Sequence, residues 1–162
     1  MNYYESAAAG KLALLRNAIF RLYMGVRALW APVALGVAAL VTDDQGRVLL
    51  VRHSYSPGWR LPGGGAGRGE PPADAILREL QEEVGLNGGR ADFVSFHSRK
   101  VGWVTNVVVL YRVAGGRVNF RPNLEIREIC FADPRLPPQG TSPATLRRLA
   151  EFTGEAALSP YW

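Results

Sequence analysis

The sequence predicts one α/β domain preceded by a basic amphipathic helix. Three observations carry this. Apolar, β-branched runs alternate with stretches of helical periodicity. No repeat, linker or low-complexity tract divides the 162 residues. A composition of 48% hydrophobic and 20% charged residues suffices to bury a core. The expected division is a helix at 1–31 and a domain at 32–162.

From Lys11 to Trp30, Leu12, Leu15, Ile19, Leu22, Val26 and Leu29 recur at alternating steps of three and four, so they form one stripe of a helix. Arg16, Arg21 and Arg27 fall off the stripe, and no acidic residue occurs between Glu5 and Asp43. Those arginines interrupt the apolar run too often for a secretory signal or a transmembrane span. Three readings stand: packing on its own domain or a second subunit, contact with an anionic membrane surface, or organelle targeting. Phe20 and Met24 point away from the stripe and mark a second contact, such as a homodimer interface.

Pro32 ends the helix, and Val33 to Val41 reads as a strand buried on both faces. The turn chemistry of "TDDQG" leads to a second strand at Arg47 to Arg52, which predicts a hairpin. The stretch "SYSPGWRLPGGGAGRG" is too rich in Gly and Pro for regular structure. A helix follows from Pro72 to Val84, opened by proline and stopped by Gly85. Strands are expected at Ala91 to His97, Trp103 to Val113 and Glu125 to Phe131. Ser142 as N-cap and Pro143 open a last helix, to Phe152.

The single Cys130 excludes an internal disulfide, and its neighbours Ile129 and Phe131 suggest a small buried hydrophobe. Absence of disulfides fits a cytoplasmic protein, with peripheral membrane attachment as the alternative. Of the net charge of +5, residues 1–41 carry +3, leaving +2 for the remainder. No nucleic acid partner is expected from that balance.

The chemistry concentrates on the helix at 72–84. Glu79, Glu82 and Glu83 stand at i, i+3 and i+4, which places their carboxylates on one side, apart from an apolar stripe of Ala73, Ile76, Leu77, Leu80 and Val84. Like charges so placed repel, and converged carboxylate oxygens suit a hard divalent cation such as magnesium. The preceding glycines, among them Gly63, Gly64 and Gly65, allow close approach of backbone to a ligand, and a glycine loop feeding a helix commonly handles phosphate.

The spacing is more specific than either feature. From Gly64, five residues lead to Glu70, seven more to Arg78, and then come Glu79, Leu80, Gln81, Glu82, Glu83, Val84, Gly85 and Leu86. This resembles the Nudix box of the Nudix hydrolase superfamily, G-x5-E-x7-R-E-U-x-E-E-x-G-U with U aliphatic, at every specified position. With "WRLPGG" at Trp59 to Gly64 and the surrounding element order, the resemblance extends over about residues 33–153 and leaves the N-terminal helix outside. It implies the Nudix fold, a mixed β-sheet sandwiched between helices (α/β/α), here with an extra N-terminal amphipathic helix.

The resemblance also implies a hydrolase that cuts the pyrophosphate of a nucleoside diphosphate linked to another moiety, with Mg²⁺ or Mn²⁺ as cofactor. Carried onto this chain, Glu79, Glu82 and Glu83 are the metal ligands, one of them able to act as general base. Arg78 orients the cluster through Glu70, and Gly64 shapes the loop. Some members add a carboxylate from beyond the box; Glu125 and Glu128 are the candidates, with Glu128 preferred over the plainer reading of a solvated strand-edge glutamate.

For substrate binding, Arg52 and Arg60 are phosphate candidates, as are Arg68, Arg99 and Lys100, while Trp103, Phe96 and Trp59 are candidates for stacking on a base. For each, a solvated charge or a core aromatic is the competing reading. His53 and His97 lack metal-ligand spacing and read as structural or surface residues. The family's ADP-ribose and dinucleoside polyphosphate groups carry a marker Pro or Tyr downstream of the box, and "KVGWVTNV" has neither. A nucleoside triphosphate or a nucleotide sugar stays open as the phosphorylated small-molecule substrate. Two other classes compete: a non-catalytic nucleotide-sensing Nudix domain, and a membrane-surface protein acting on a lipid-linked pyrophosphate.

Overall fold

The computed structural model describes residues 3–162, with side chains from residue 14 onward. In chain order the elements are α1 (Tyr3–Trp30), β1 (Val33–Val41), β2 (Val48–His53), β3 (Trp59–Arg60), α2 (Pro72–Val84), β4 (Leu86–Asn87), β5 (Arg90–Val101), β6 (Val104–Ala114), β7 (Arg117–Val118), β8 (Ile126–Ala132) and α3 (Pro143–Phe152). Two compact units divide the chain, one of residues 1–33 with 100–105, the other of 34–99 with 106–162. Among the described residues, no helix is long and apolar enough to cross a membrane. Helix α1 starts at Tyr3, earlier than the stripe from Lys11 predicts.

In the larger unit the strands form sheets of order β1-β6-β5 and β3-β2-β8, with a short pair of β4 and β7. Alternate residues of β1 and β2 feed two cores. Val37, Ala39, Val41, Leu49 and Val51 pack with Ile76, Leu80 and Val84 of α2, whereas Ala38, Leu40, Val48 and Leu50 pack with Leu149 of α3. Both strands therefore bury both faces between the two helices, which is the expected α/β/α layering.

The predicted hairpin of β1 and β2 does not form as a ladder. The turn is present, with Arg47 N–H donating to Asp43 Oδ1 at 2.9 Å, but β1 joins β6 while β2 joins β3 and β8. The reason lies in the glycine loop. Val37 N–H donates to the Gly64 carbonyl at 2.9 Å, Ala39 N–H to Pro62 at 3.0 Å, and Ala66 N–H to Leu35 at 3.0 Å, so the loop occupies an edge of β1. Strand β2 turns instead to β8, antiparallel, with Leu50 opposite Cys130 and Arg52 opposite Glu128.

The helix ends follow the sequence signals. Pro72 opens α2, and Gly85 closes it at φ 65°, its N–H donating to Gln81 O. Ser142 caps α3 by accepting from Thr145 N–H at 3.2 Å. Cys130 is half-buried against the α3-side core, and burial pushes its thiol pKa up, as suits a structural rather than a nucleophilic cysteine.

Candidate active site

Helix α2 is anchored by Ala75, Ile76, Leu80 and Val84, all fully buried, so its charged side is presented at a fixed angle to the glycine loop. Arg78 organises that side. Its Nε and Nη2 donate to Glu70 at 2.8 and 3.0 Å, Nη1 donates to Glu79 at 2.9 Å and to Glu82 at 3.1 Å, and Nη2 reaches the Gly65 carbonyl at 3.0 Å. The two-pronged grip on Glu70, together with Gly67 N–H, holds that carboxyl down at about 2.

Glu83 differs from its neighbours. It is 4% exposed, and Gly63 N–H donates to its Oε2 at 2.8 Å. Burial pushes its carboxyl up to about 7, opposed by the Gly63 hydrogen bond and reinforced by the charges of Glu79, Glu125 and Glu82.

The loop is shaped for contact. Gly63 sits at φ 140°, where a Cβ would overlap the Val37 carbonyl. A Cβ at Gly64 would overlap the Glu79 carboxylate. The Glu79 carboxylate and the loop backbone thus lie so close that a side chain at Gly64 would displace the carboxylate.

Beside the loop lies a cavity of about 390 Å³, whose lining includes Gly63, Gly64, Tyr55, Arg60, Asn106 and Trp162. Arg60 donates from Nη2 to Ser56 Oγ at 2.7 Å, while its Nε is buried and unpartnered, as is His53 Nδ1. Burial, and secondarily the Arg60 charge, lowers the His53 pKa, so the ring lines the cavity as a neutral imidazole.

The family model of the NUDIX domain matches residues 32–151. The chain belongs to the Nudix family. Its box, Gly64 to Leu86, is the glycine loop and helix just described.

Among curated relatives, the chain is similar to the RNA pyrophosphohydrolase of Halorhodospira halophila, 46% identical over 56 residues, 35% of this chain and 30% of the relative. The RNA pyrophosphohydrolase of Gluconacetobacter diazotrophicus is 34% identical over 79 residues, 40% of this chain and 47% of the relative. The chain thus spans less than half of the length of either relative. Among solved structures, a MutT NUDIX hydrolase from Burkholderia pseudomallei superposes with a TM-score of 0.64 at 24% identity, covering 72% of this chain and 95% of that one. That likeness shows the Nudix fold.

Within the Nudix domain, the structure gathers some of the expected residues and disperses others. Glu79, Glu82 and Arg78 meet directly, and Glu83 stands within electrostatic reach. Among the described residues, however, no three His, Cys, Asp or Glu side chains form a ready ligand shell, because Arg78 joins Glu79 to Glu82. The donor set nonetheless fits a hard divalent cation: carboxylate oxygens whose mutual repulsion reaches the buried Glu83, beside a backbone cradle that a Cβ would fill.

Glu128, the preferred further carboxylate, forms an exposed cross-strand ion pair with Arg52 at 2.5 Å. The charge from that strand end that reaches Glu83 is Glu125's. Asn123 places it: its Nδ2 donates to the carbonyls of Glu82 at 3.5 Å and Glu83 at 3.2 Å, and its Oδ1 accepts from Glu125 N–H at 2.9 Å. Arg52 lies over the Trp59 ring at 5.4 Å and lines a second pocket that shares His53 and Tyr55 with the first, whereas Arg60, Arg99 and Gly64 line the first. Trp103 is 75% exposed and is not in the cavity lining.

Sequence reasoning missed Asn123, Tyr55 and Asn106, and it set His53 aside as structural or surface. The "NLE" of Asn123 to Glu125 had a usable signal, since Asn readily caps the backbone two residues on. Of the other three, His53 and Tyr55 stand two apart at the end of β2 and Asn106 lies on β6, and only the fold brings them to one cavity.

Proposed function

We propose that this chain hydrolyses the pyrophosphate linkage of a nucleoside diphosphate joined to another moiety, with Glu79, Glu82 and Glu83 as ligands of Mg²⁺ or Mn²⁺. The observation that carries this reading is the buried Glu83, hung from the glycine loop by Gly63 N–H and surrounded by the charges of Glu79, Glu82 and Glu125. When bound, the cation neutralises pyrophosphate charge and lowers the pKa of a coordinated water.

The chain's own residues divide the remaining work. Arg78, tied to Glu70 and the Gly65 carbonyl, orients Glu79 and Glu82. Asn123 aims Glu125, which takes the place expected of Glu128. Arg60, which lines a cavity of nucleotide size, offers its guanidinium to substrate phosphate. Tyr55 and Trp162 supply aromatic walls for a base. The substrate is a small phosphorylated molecule; the names of the relatives add pyrophosphate-bearing RNA as the macromolecular counterpart to try.

The test is a panel with Mg²⁺: nucleoside triphosphates, nucleotide sugars, other nucleoside diphosphate derivatives and a pyrophosphate-bearing RNA, with products identified by mass. Cleavage between phosphates is expected. Glu82→Gln and Glu83→Gln should each lower turnover by more than about 100-fold. Unchanged turnover in both variants would overturn the metal assignment, and nucleotide binding without product would replace it by a sensing role.

A further inference from the structure

Helix α1 carries an apolar surface that the Nudix chemistry does not use. Leu15, Ile19, Leu22, Val26, Leu29 and Trp30 are between 48% and 86% exposed. At about 100° per residue these positions fill an arc of roughly 100° on the helix circumference. Arg16 and Arg27 fall just beyond one edge of the arc and Arg21 beyond the other, and no acidic residue occurs between Glu5 and Asp43. The turn 100–105 belongs to the same unit, with Thr105 N–H donating to Pro32 O at 3.1 Å. It adds Lys100 and two exposed apolar side chains, Val101 at 46% and Trp103 at 75%.

We infer that α1 and this turn form a peripheral anchor that lies flat on an anionic lipid surface. An arc of exposed Leu, Ile and Val gains free energy by entering the acyl boundary, and arginines beyond its two edges extend their heads to lipid phosphates while their stems stay with the apolar side. Tryptophan suits the headgroup depth, which accounts for Trp30 and Trp103 standing in water. A second copy of the chain is the weaker occupant, because a two-fold contact would set unneutralised arginines against one another. Among the described residues no helix is long and apolar enough to span, and the proposed contact lies along the surface. Phe20 and Met24 lie outside the arc and take no part.

The full chain is mixed with vesicles of phosphatidylcholine alone and of phosphatidylcholine with phosphatidylglycerol, and co-sedimentation is measured. Binding is expected only to the anionic vesicles, weakening with salt. Leu22→Glu should abolish it. Removing the arginines singly and together as Arg16→Gln, Arg21→Gln and Arg27→Gln should weaken it by about fivefold each. The unfolding midpoint serves as a folding control for these exposed positions. Equal binding to both vesicle types, no binding to either, or binding unaffected by the arginine substitutions overturns the inference, as does dimerisation through α1 without lipid binding.

Discussion

Arg78 and Arg148 each hold glutamate, and the contrast between them separates a site from a brace. Arg78 is 37% exposed in its side chain and spreads its donors over Glu70, Glu79, Glu82 and the Gly65 carbonyl. Arg148 on α3 is fully buried. It donates to Glu151 at 2.6 Å and to the Tyr161 carbonyl at 3.1 Å, lies 5.4 Å from the Trp162 ring centroid, and abuts His97, a neighbour 51 residues away in sequence. Burial, with the neighbouring Arg148 charge adding to it, lowers the His97 pKa against the pull of the Ser159 carbonyl, so that ring is neutral. Water can share the charge at the first arginine and cannot at the second. Removing the first is therefore expected to cost chemistry, and removing the second to cost fold.

The largest effect that sharpens this contrast is expected for Arg148→Met, which leaves Glu151 buried without its partner. Urea unfolding should show a loss of about 3–5 kcal/mol, with part of it restored by adding Glu151→Leu. Arg78→Ala should invert the pattern. Turnover in the proposed pyrophosphate hydrolysis should fall by about 10- to 100-fold while stability changes by no more than about 1 kcal/mol, since the pairs it loses are partly solvated. Equal stability losses in the two variants would erase the distinction.

Next is Gly64→Ala, whose methyl would overlap the Glu79 carboxylate and force it aside. Turnover should drop with the unfolding midpoint little changed, as Gly64 is not at positive φ. The smallest effect is in pH dependence. The Glu70 carboxyl is held down at about 2 from an ordinary value near 4.5, so its pairing with Arg78 stabilises the loop above the ordinary value and is lost as pH falls toward 2. Acid titration of loop amide exchange should show this in the parent chain and not in Glu70→Gln.

The two arginines also mark how far the sequence could be read. Arg78 lies within a contiguous motif whose spacing declares both its helix and its partners, and the bounds of α2 follow from Pro72 and Gly85. Arg148 meets His97 and Trp162 only through tertiary packing, so nothing local announces it. The same difference explains the hairpin. "TDDQG" specified a turn correctly, but which strand lies beside β1 was decided by backbone hydrogen bonds, two accepted and one donated, of a loop more than twenty residues on from β1. Glu125 and Glu128 sit on one short stretch, and only the register that sets Arg52 opposite Glu128 separates their fates.

The loop from Pro62 to Ala66 is stitched to β1 at both ends, and Gly63 N–H reaches across it to Glu83. Its glycines serve nearness, not motion. A phosphate bound there, as proposed, would meet a surface already set, with little ordering entropy left to be lost on binding. Discrimination among ligands would then fall to the rest of the cavity lining, Tyr55, Arg60 and Trp162 among it, while the loop backbone would be the same for every guest.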